Sequence, residues 1–117
     1  MSANQAGRRF LADIQRLLST LLYRDVADPR LANLTITRVE SSGRQLVTVW
    51  VYRSFAADEA GDIPAVLQSL QRMTPHFEHE LRRALPRRRL PSLRFCWDEN
   101  FEKSGDVLQM LRELERP

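Results

Sequence analysis

Cysteine occurs once in this 117-residue chain, at Cys96, so no internal disulfide can form and no second thiol stands by to complete a thiolate metal site. That usage agrees with a reducing compartment. Glycine occurs four times, which excludes a Gly-rich low-complexity array and a collagen-like repeat. No apolar run approaches the roughly 20 residues that span a bilayer. The N-terminus has no apolar stretch of the kind a signal peptide needs, and a cytoplasmic protein is expected. Two independent cores would each be undersized, so residues 1–117 read as one domain. With 43% hydrophobic and 28% charged residues, the composition is that of a folded globular chain.

Lysine is the other scarcity. Of 18 basic residues only Lys103 is lysine, which leaves 17 arginines. Guanidinium forks match phosphate geometry better than ammonium groups do. A genome rich in G and C also encodes arginine readily, so distribution decides more than the total. Residues 72 to 94 hold seven arginines against Glu78 and Glu80, a local balance of +5. Residues 98 to 117 balance to −3 and residues 1 to 71 to +1. The positive field is local.

Phe10, Leu11, Ile14, Leu17, Leu18, Leu21 and Leu22 recur at helical spacing with polar residues between, predicting an amphipathic helix over 5–23. It should stop before Asp28 and Pro29. Leu34–Glu40 and Leu46–Arg53 are rich in β-branched and aromatic residues, and Ser41, Ser42 and Gly43 between them predict a hairpin turn. On the second strand Val47, Val49 and Val51 share one face, expected to be the core face, while Thr48, Trp50 and Tyr52 share the other. Helical spacing returns at Val66, Leu67, Leu70 and Met73, and again at Phe77, Leu81, Ala84 and Leu85, with Pro75 between. Proline inside a helix costs roughly 3 kcal/mol, so a kink or break is expected, with Thr74 as N-cap of the second half. Glu78 and Glu80 then fall near that half's positive end, and Arg82 and Arg83 near its negative end. Pro86 and Pro91 bracket Arg87, Arg88, Arg89 and Leu90 outside any helix. Leu93, Phe95 and Trp97 alternate with Arg94, Cys96 and Asp98 as a third strand, and Val107, Leu108, Leu111 and Leu114 predict a terminal helix.

The order is thus α-β-β-α-(kink)-α-β, with a core over about 7–98 and a helical C-terminal extension over 99–117. A hairpin followed by a helical crossover gives an α+β fold, a mixed three-stranded sheet with helices on one face. The same order describes the type II KH-like fold, one of the modules that bind single-stranded RNA.

Two blocks carry a family resemblance. Asp28-Pro29-Arg30-Leu31 precedes the first strand, and Leu90-Pro91-Ser92-Leu93-Arg94-Phe95-Cys96-Trp97-Asp98 is followed later by Gly105. In this order and spacing they resemble the signature blocks of bacterial ribosome-binding factor A, over about residues 7 to 112. The resemblance implies a non-enzymatic assembly factor without cofactor that binds the immature small ribosomal subunit and its ribosomal RNA. It also implies help in late RNA folding and processing, then release, with a particular role in cold growth. Two departures stand out. Where the family usually has Ala-x-Gly between its paired helices, this chain has Met73, Thr74 and Pro75. Where the family often has Ser-x-Asp after the first strand, it has Ser41-Ser42-Gly43-Arg44.

The candidate RNA-binding residues are Arg82, Arg83, Arg87, Arg88, Arg89 and Arg94, with Arg8, Arg9 and Arg30 as weaker candidates. Helix-end compensation accounts for Arg82 and Arg83 equally well, but not for the proline-bracketed triple, which has no acids nearby. Trp50 and Tyr52 suit either base stacking or cover by the terminal helix. No Gly-x-x-Gly separates the paired helices, which favours phosphate and shape over readout of a short sequence. His76, His79 and Glu80 mimic part of a metal site without a third ligand in view, Cys96 suits a small hydrophobe, and no metal or catalytic residue is expected. A monomer that takes no small-molecule substrate and binds no membrane is therefore expected. The alternative is a protein interaction module that docks a partner through its sheet face.

Overall fold

Valine at every second position between Val47 and Val51 favours a strand that is packed on one side, and the fold is assembled around it. The computed structural model describes residues 2–26, 28, 31, 33–43, 45–53, 63–86 and 89–101. Its elements are α1 (Ser2–Asp25), β1 (Thr35–Gly43), β2 (Leu46–Tyr52), α2 (Ile63–Ala84) and β3 (Ser92–Trp97). β1 pairs antiparallel with β2 and β2 pairs parallel with β3, so β2 lies in the middle of the sheet. A parallel partner cannot be reached by a tight turn, and α2 supplies the crossover. The predicted α+β architecture is the observed one.

The core lies between the sheet and the two helices. Val47, Val49 and Val51 are at most 3% exposed and pack with Ile14 and Leu18 of α1 and Val66, Leu70, Phe77 and Leu81 of α2. Phe77 also meets Phe95 of β3 at a ring-centroid distance of 5.9 Å. Truncating one of the large core side chains to alanine costs about 2–5 kcal/mol, most of it transfer and cavity energy.

Pro75 does not divide α2. The helix runs unbroken from Ile63 to Ala84 with the proline inside it, rather than as two helices. The reason is the apolar stripe, since Val66, Leu70, Phe77 and Leu81 are all buried on one side across the proline. Their packing outweighs one missing N–H. Thr74 is consequently not an N-cap: its Oγ1 donates back to the carbonyl of Leu70 at 2.9 Å, a bond that tends to bend helices. Glu78 and Glu80 lie mid-helix rather than at a helix start. Glu78 Oε2 instead accepts from the backbone N–H of Leu93 at 3.1 Å, fixing β3 to α2.

The hairpin turn is also displaced. Ser41 pairs with Val47 and Gly43 with Leu46, so the expected turn residues belong to β1. Gly43 takes φ 142° beside a register shift, and Gln45 takes φ 60°. A bulge at a glycine lets the strand continue past its β-rich segment. β3 ends at Trp97. Asp98 then accepts at Oδ1 from the N–H of Phe101 at 3.0 Å, the bond of an N-cap, and residues 99–101 are helical. The rest of the expected terminal helix lies outside the described residues.

Candidate nucleic-acid interface

Three parts of the chain meet at the hairpin end of the sheet. The first turns of α1 carry Gly7, Phe10 and Leu11. The hairpin brings Ser41, Gly43, Gln45, Leu46 and Val47, and the connection from α2 to β3 brings Arg89 and Pro91. Together they line a concavity of 290 Å³. Gln45 holds the hairpin to the third strand, its carbonyl accepting from the N–H of Ser92 at 2.7 Å. Arg8 and Arg9 are exposed on the same stretch of α1, and Arg89 is exposed on the connection from α2 to β3. Arg82 and Arg83 occupy the last turn of α2, from which the chain leads through Pro86 to Arg89.

The structure separates these arginines by what they already hold. Arg83 Nη1 contacts Glu80 Oε1 at 3.3 Å. Arg94 lies on the sheet face away from the helices, and its Nη2 donates to Thr48 Oγ1 at 3.1 Å. Arg94 is thus not brought together with the others. Arg8, Arg9, Arg82 and Arg89 are exposed and make no ion pair among the described residues. Their charge is open to phosphate oxygens. Arg30, Arg87 and Arg88 lie outside the described residues.

The residues expected at the interruption adjoin a second cluster. Met73 lines an open concavity with Arg24, Asp25, His76, Glu80 and Arg83, where the end of α1 meets the middle of α2. Arg24 Nε donates to Asp25 Oδ1 at 2.6 Å, Arg24 Nη2 lies 3.8 Å from Glu80 Oε2, and His76 Nε2 is 2.8 Å from Asp25 Oδ2. The hydrogen bond from Arg24 and then that with His76 hold the Asp25 carboxyl well below the usual carboxylate range, and Asp25 in turn raises Arg24. The histidine therefore faces a carboxylate on the other helix, while His79 stands exposed. A His–Asp pair needs a nucleophile to do acyl-transfer chemistry. Met73, Glu80, Arg24 and Arg83 line the concavity with the pair, and Asp25 also lines a neighbouring hollow with Val26, Asp28, Ser69 and Arg72.

On the other sheet face the aromatics are occupied by protein. Arg38 lies 4.5 Å from the centroid of Trp50, and Tyr52 packs against Trp97 at 5.5 Å and Phe101 at 5.0 Å. That arrangement does not offer Tyr52 as a platform for bases. Asp98, which the sequence offers as a residue of the third strand, is 4% exposed. It joins Thr37, Arg38 and the helical turn that follows it. Burial acts to raise its pKa, but the hydrogen bonds from Thr37, Phe101 and Asn100 and the charge of Arg38 leave it lowered. Tyr23 is 91% exposed on α1 beside Arg24, with nothing in the local pattern to announce it.

Residues 7–111 match the sequence model of a family described as Ribosome-binding factor A. A protein of that description from Streptococcus mutans is 33% identical over 114 residues, covering 97% of this chain and 97% of its own length. Another, from Sorangium cellulosum, is 30% identical over 113 residues, covering 96% and 87%. Among solved structures, the crystal structure of ribosome-binding factor A from Thermus thermophilus superposes with a TM-score of 0.64 at 26% identity. The match covers 77% of this chain and 92% of that one.

Proposed function

The chain belongs to the ribosome-binding factor A family, and from that premise we propose that it binds the immature small ribosomal subunit through ribosomal RNA and favours the mature fold of that RNA without catalysis. The observation that carries this reading is the set of exposed guanidinium groups that make no ion pair among the described residues, those of Arg8 and Arg9 on the first turns of α1, Arg82 in the last turn of α2 and Arg89 on the segment that follows it. Arg87 and Arg88 continue the same basic segment in the sequence. Arginine forks neutralise phosphates and release their counterions, and the resulting affinity depends on backbone shape more than on base sequence. A protein that binds one RNA arrangement more tightly than another shifts the population by the ratio of the two affinities. No bond need be made or broken. As temperature falls, misfolded RNA helices are harder to leave, so such a shift matters most in the cold. The chain acts in this reading as a cytoplasmic monomer.

Sedimentation with free small subunits and with complete ribosomes tests it. Binding is expected on the free subunit, and to weaken roughly a hundredfold between about 50 and 200 mM salt if four phosphates are contacted. Changing Arg87, Arg88 and Arg89 together to alanine should remove most of that binding. A salt-insensitive association that survives the triple change would instead identify a protein docking surface on the sheet.

A further inference from the structure

The concavity at the hairpin end has a composition that phosphate contacts alone do not explain. Phe10, Leu11, Leu46 and Pro91 line it half-buried, over a floor at Val47 that is 3% exposed. Among the described residues Arg89 is its one charged wall. Its 290 Å³ falls just below the usual range of small-molecule sites, which runs from roughly 300 to 1,000 Å³. That is room for one flat heterocycle. It is also built in advance, because Val47 is in register with Leu93 on β3 and the Gln45 carbonyl is bonded to Ser92. Binding there need not order the walls first.

We infer that this concavity receives one unpaired nucleotide of the bound RNA, its base against Phe10, Leu11 and Pro91 and its phosphate on Arg89. The inference rests on the RNA-binding reading above and gives it a place for a base. An apolar side chain bearing a carboxylate would also suit an apolar hollow with one cation. The charge around it favours a polyanion, since Arg8 and Arg9 are exposed beside Gly7 on the same turns of α1 and extend the positive field beyond the hollow. A lone carboxylate has no use for those further cations. Ser41 and Gln45 on the rim supply polar side chains that can reach a base edge. Gly7 leaves the mouth open, because a Cβ built on it meets no atom within 4 Å.

The test uses the full chain labelled for amide NMR and titrated separately with nucleoside monophosphates, inorganic phosphate and N-acetyl-leucine. The nucleoside monophosphates should shift the amides of Gly7, Phe10 and Gln45, while phosphate moves only the surroundings of Arg89. Equal or larger shifts with N-acetyl-leucine, or none with the nucleotides, overturn the inference. Gly7→Leu, which fills the mouth and is helix-favouring, should keep a wild-type melting profile and weaken binding to free small subunits about tenfold, the loss expected of one stacked base. Wild-type affinity in Gly7→Leu beside a loss in the Arg87, Arg88 and Arg89 triple overturns the nucleotide site alone. If the arginine triple also binds like wild type, the RNA-binding reading falls as well.

Discussion

Thr37 Oγ1 donates a hydrogen bond to Asp98 Oδ2 at 2.5 Å, joining β1 to the end of β3 across 61 residues of sequence. Arg38 Nε stands 3.7 Å from the same oxygen, and the other carboxylate oxygen caps the helical turn at residues 99–101. One buried carboxylate thus fixes both the outer strand of the hairpin and the point where the chain leaves the sheet. A buried acceptor with its partners in place contributes modestly, but removing it strands several donors at once.

Asp98→Ala is therefore expected to destabilise the fold by about 2–4 kcal/mol, combining a lost cap with donors left unpaired. Asp98→Asn keeps an acceptor for Phe101 and should cost less. Thr37→Val should cost about 1–2 kcal/mol. Urea melts of the two single variants and the Thr37→Val, Asp98→Ala double variant test the coupling. If the two costs simply add, Thr37 and Asp98 do not stabilise one another.

Acid should weaken both the junction between α1 and α2 and the point where the chain leaves β3. Both Asp25 and Asp98 have carboxyls held below their ordinary range in the folded state. A group whose folded pKa is depressed contributes stability that is present above its unfolded value, about 3.9 for aspartate, and lost as pH falls through the folded one. Stability should then be flat above about pH 5 on account of these two groups and decline below about pH 4. Since the hydrogen bond from Arg24 is the largest influence on Asp25 and that with His76 the next, Arg24→Ala should flatten the acid limb more than His76→Ala. The reverse order in chemical melts across acidic pH would show that the histidine is the principal partner.

The period-two valines and the helical stripes were legible before any coordinates, because each depends only on neighbours a few residues away. What stayed hidden needs distant partners. His76 reads as a solvated histidine until Asp25, 51 residues earlier, is placed at 2.8 Å. Asp98 reads as a strand residue until Thr37 arrives from the hairpin. Pro75 was misleading in another way: its local penalty is real, but it is weighed against burial of Val66, Leu70, Phe77 and Leu81 along one continuous helix. The turn moved because a single glycine bulge at Gly43 let β1 run on. Among the candidate arginines, no local rule distinguishes Arg94, engaged by Thr48, from Arg89, which is open.

Because α2 is already continuous through Pro75, Pro75→Ala should stabilise the protein by about 1–3 kcal/mol, restoring a donor for the Gln71 carbonyl and relieving the ring's clash with it. Pro75→Gly should gain about 1 kcal/mol less. Thermal melts of both variants test this. A loss of stability in Pro75→Ala would mean that the packing of α2 on β3 requires a bend that only proline maintains.

The separation of open from engaged arginines makes a prediction that a count of positive charges does not. Arg82, Arg89 and Arg94 are all exposed and make no ion pair among the described residues, but Arg94 is held at the sheet by a hydrogen bond to the hydroxyl of Thr48, a residue that is 1% exposed. If RNA contact is made by open guanidinium groups, Arg82→Ala and Arg89→Ala should each lower affinity for free small subunits and reduce the slope of log affinity against log salt by about 0.7–0.9, the value of one released phosphate contact. Arg94→Ala should leave the slope unchanged and instead lower stability by about 1 kcal/mol through the lost hydrogen bond. Arg83, shared with Glu80 on an exposed surface, should fall between, because such a pair contributes little and reopens readily. Equal slopes for Arg89→Ala and Arg94→Ala would mean that total charge, not its arrangement at the hairpin end, governs binding.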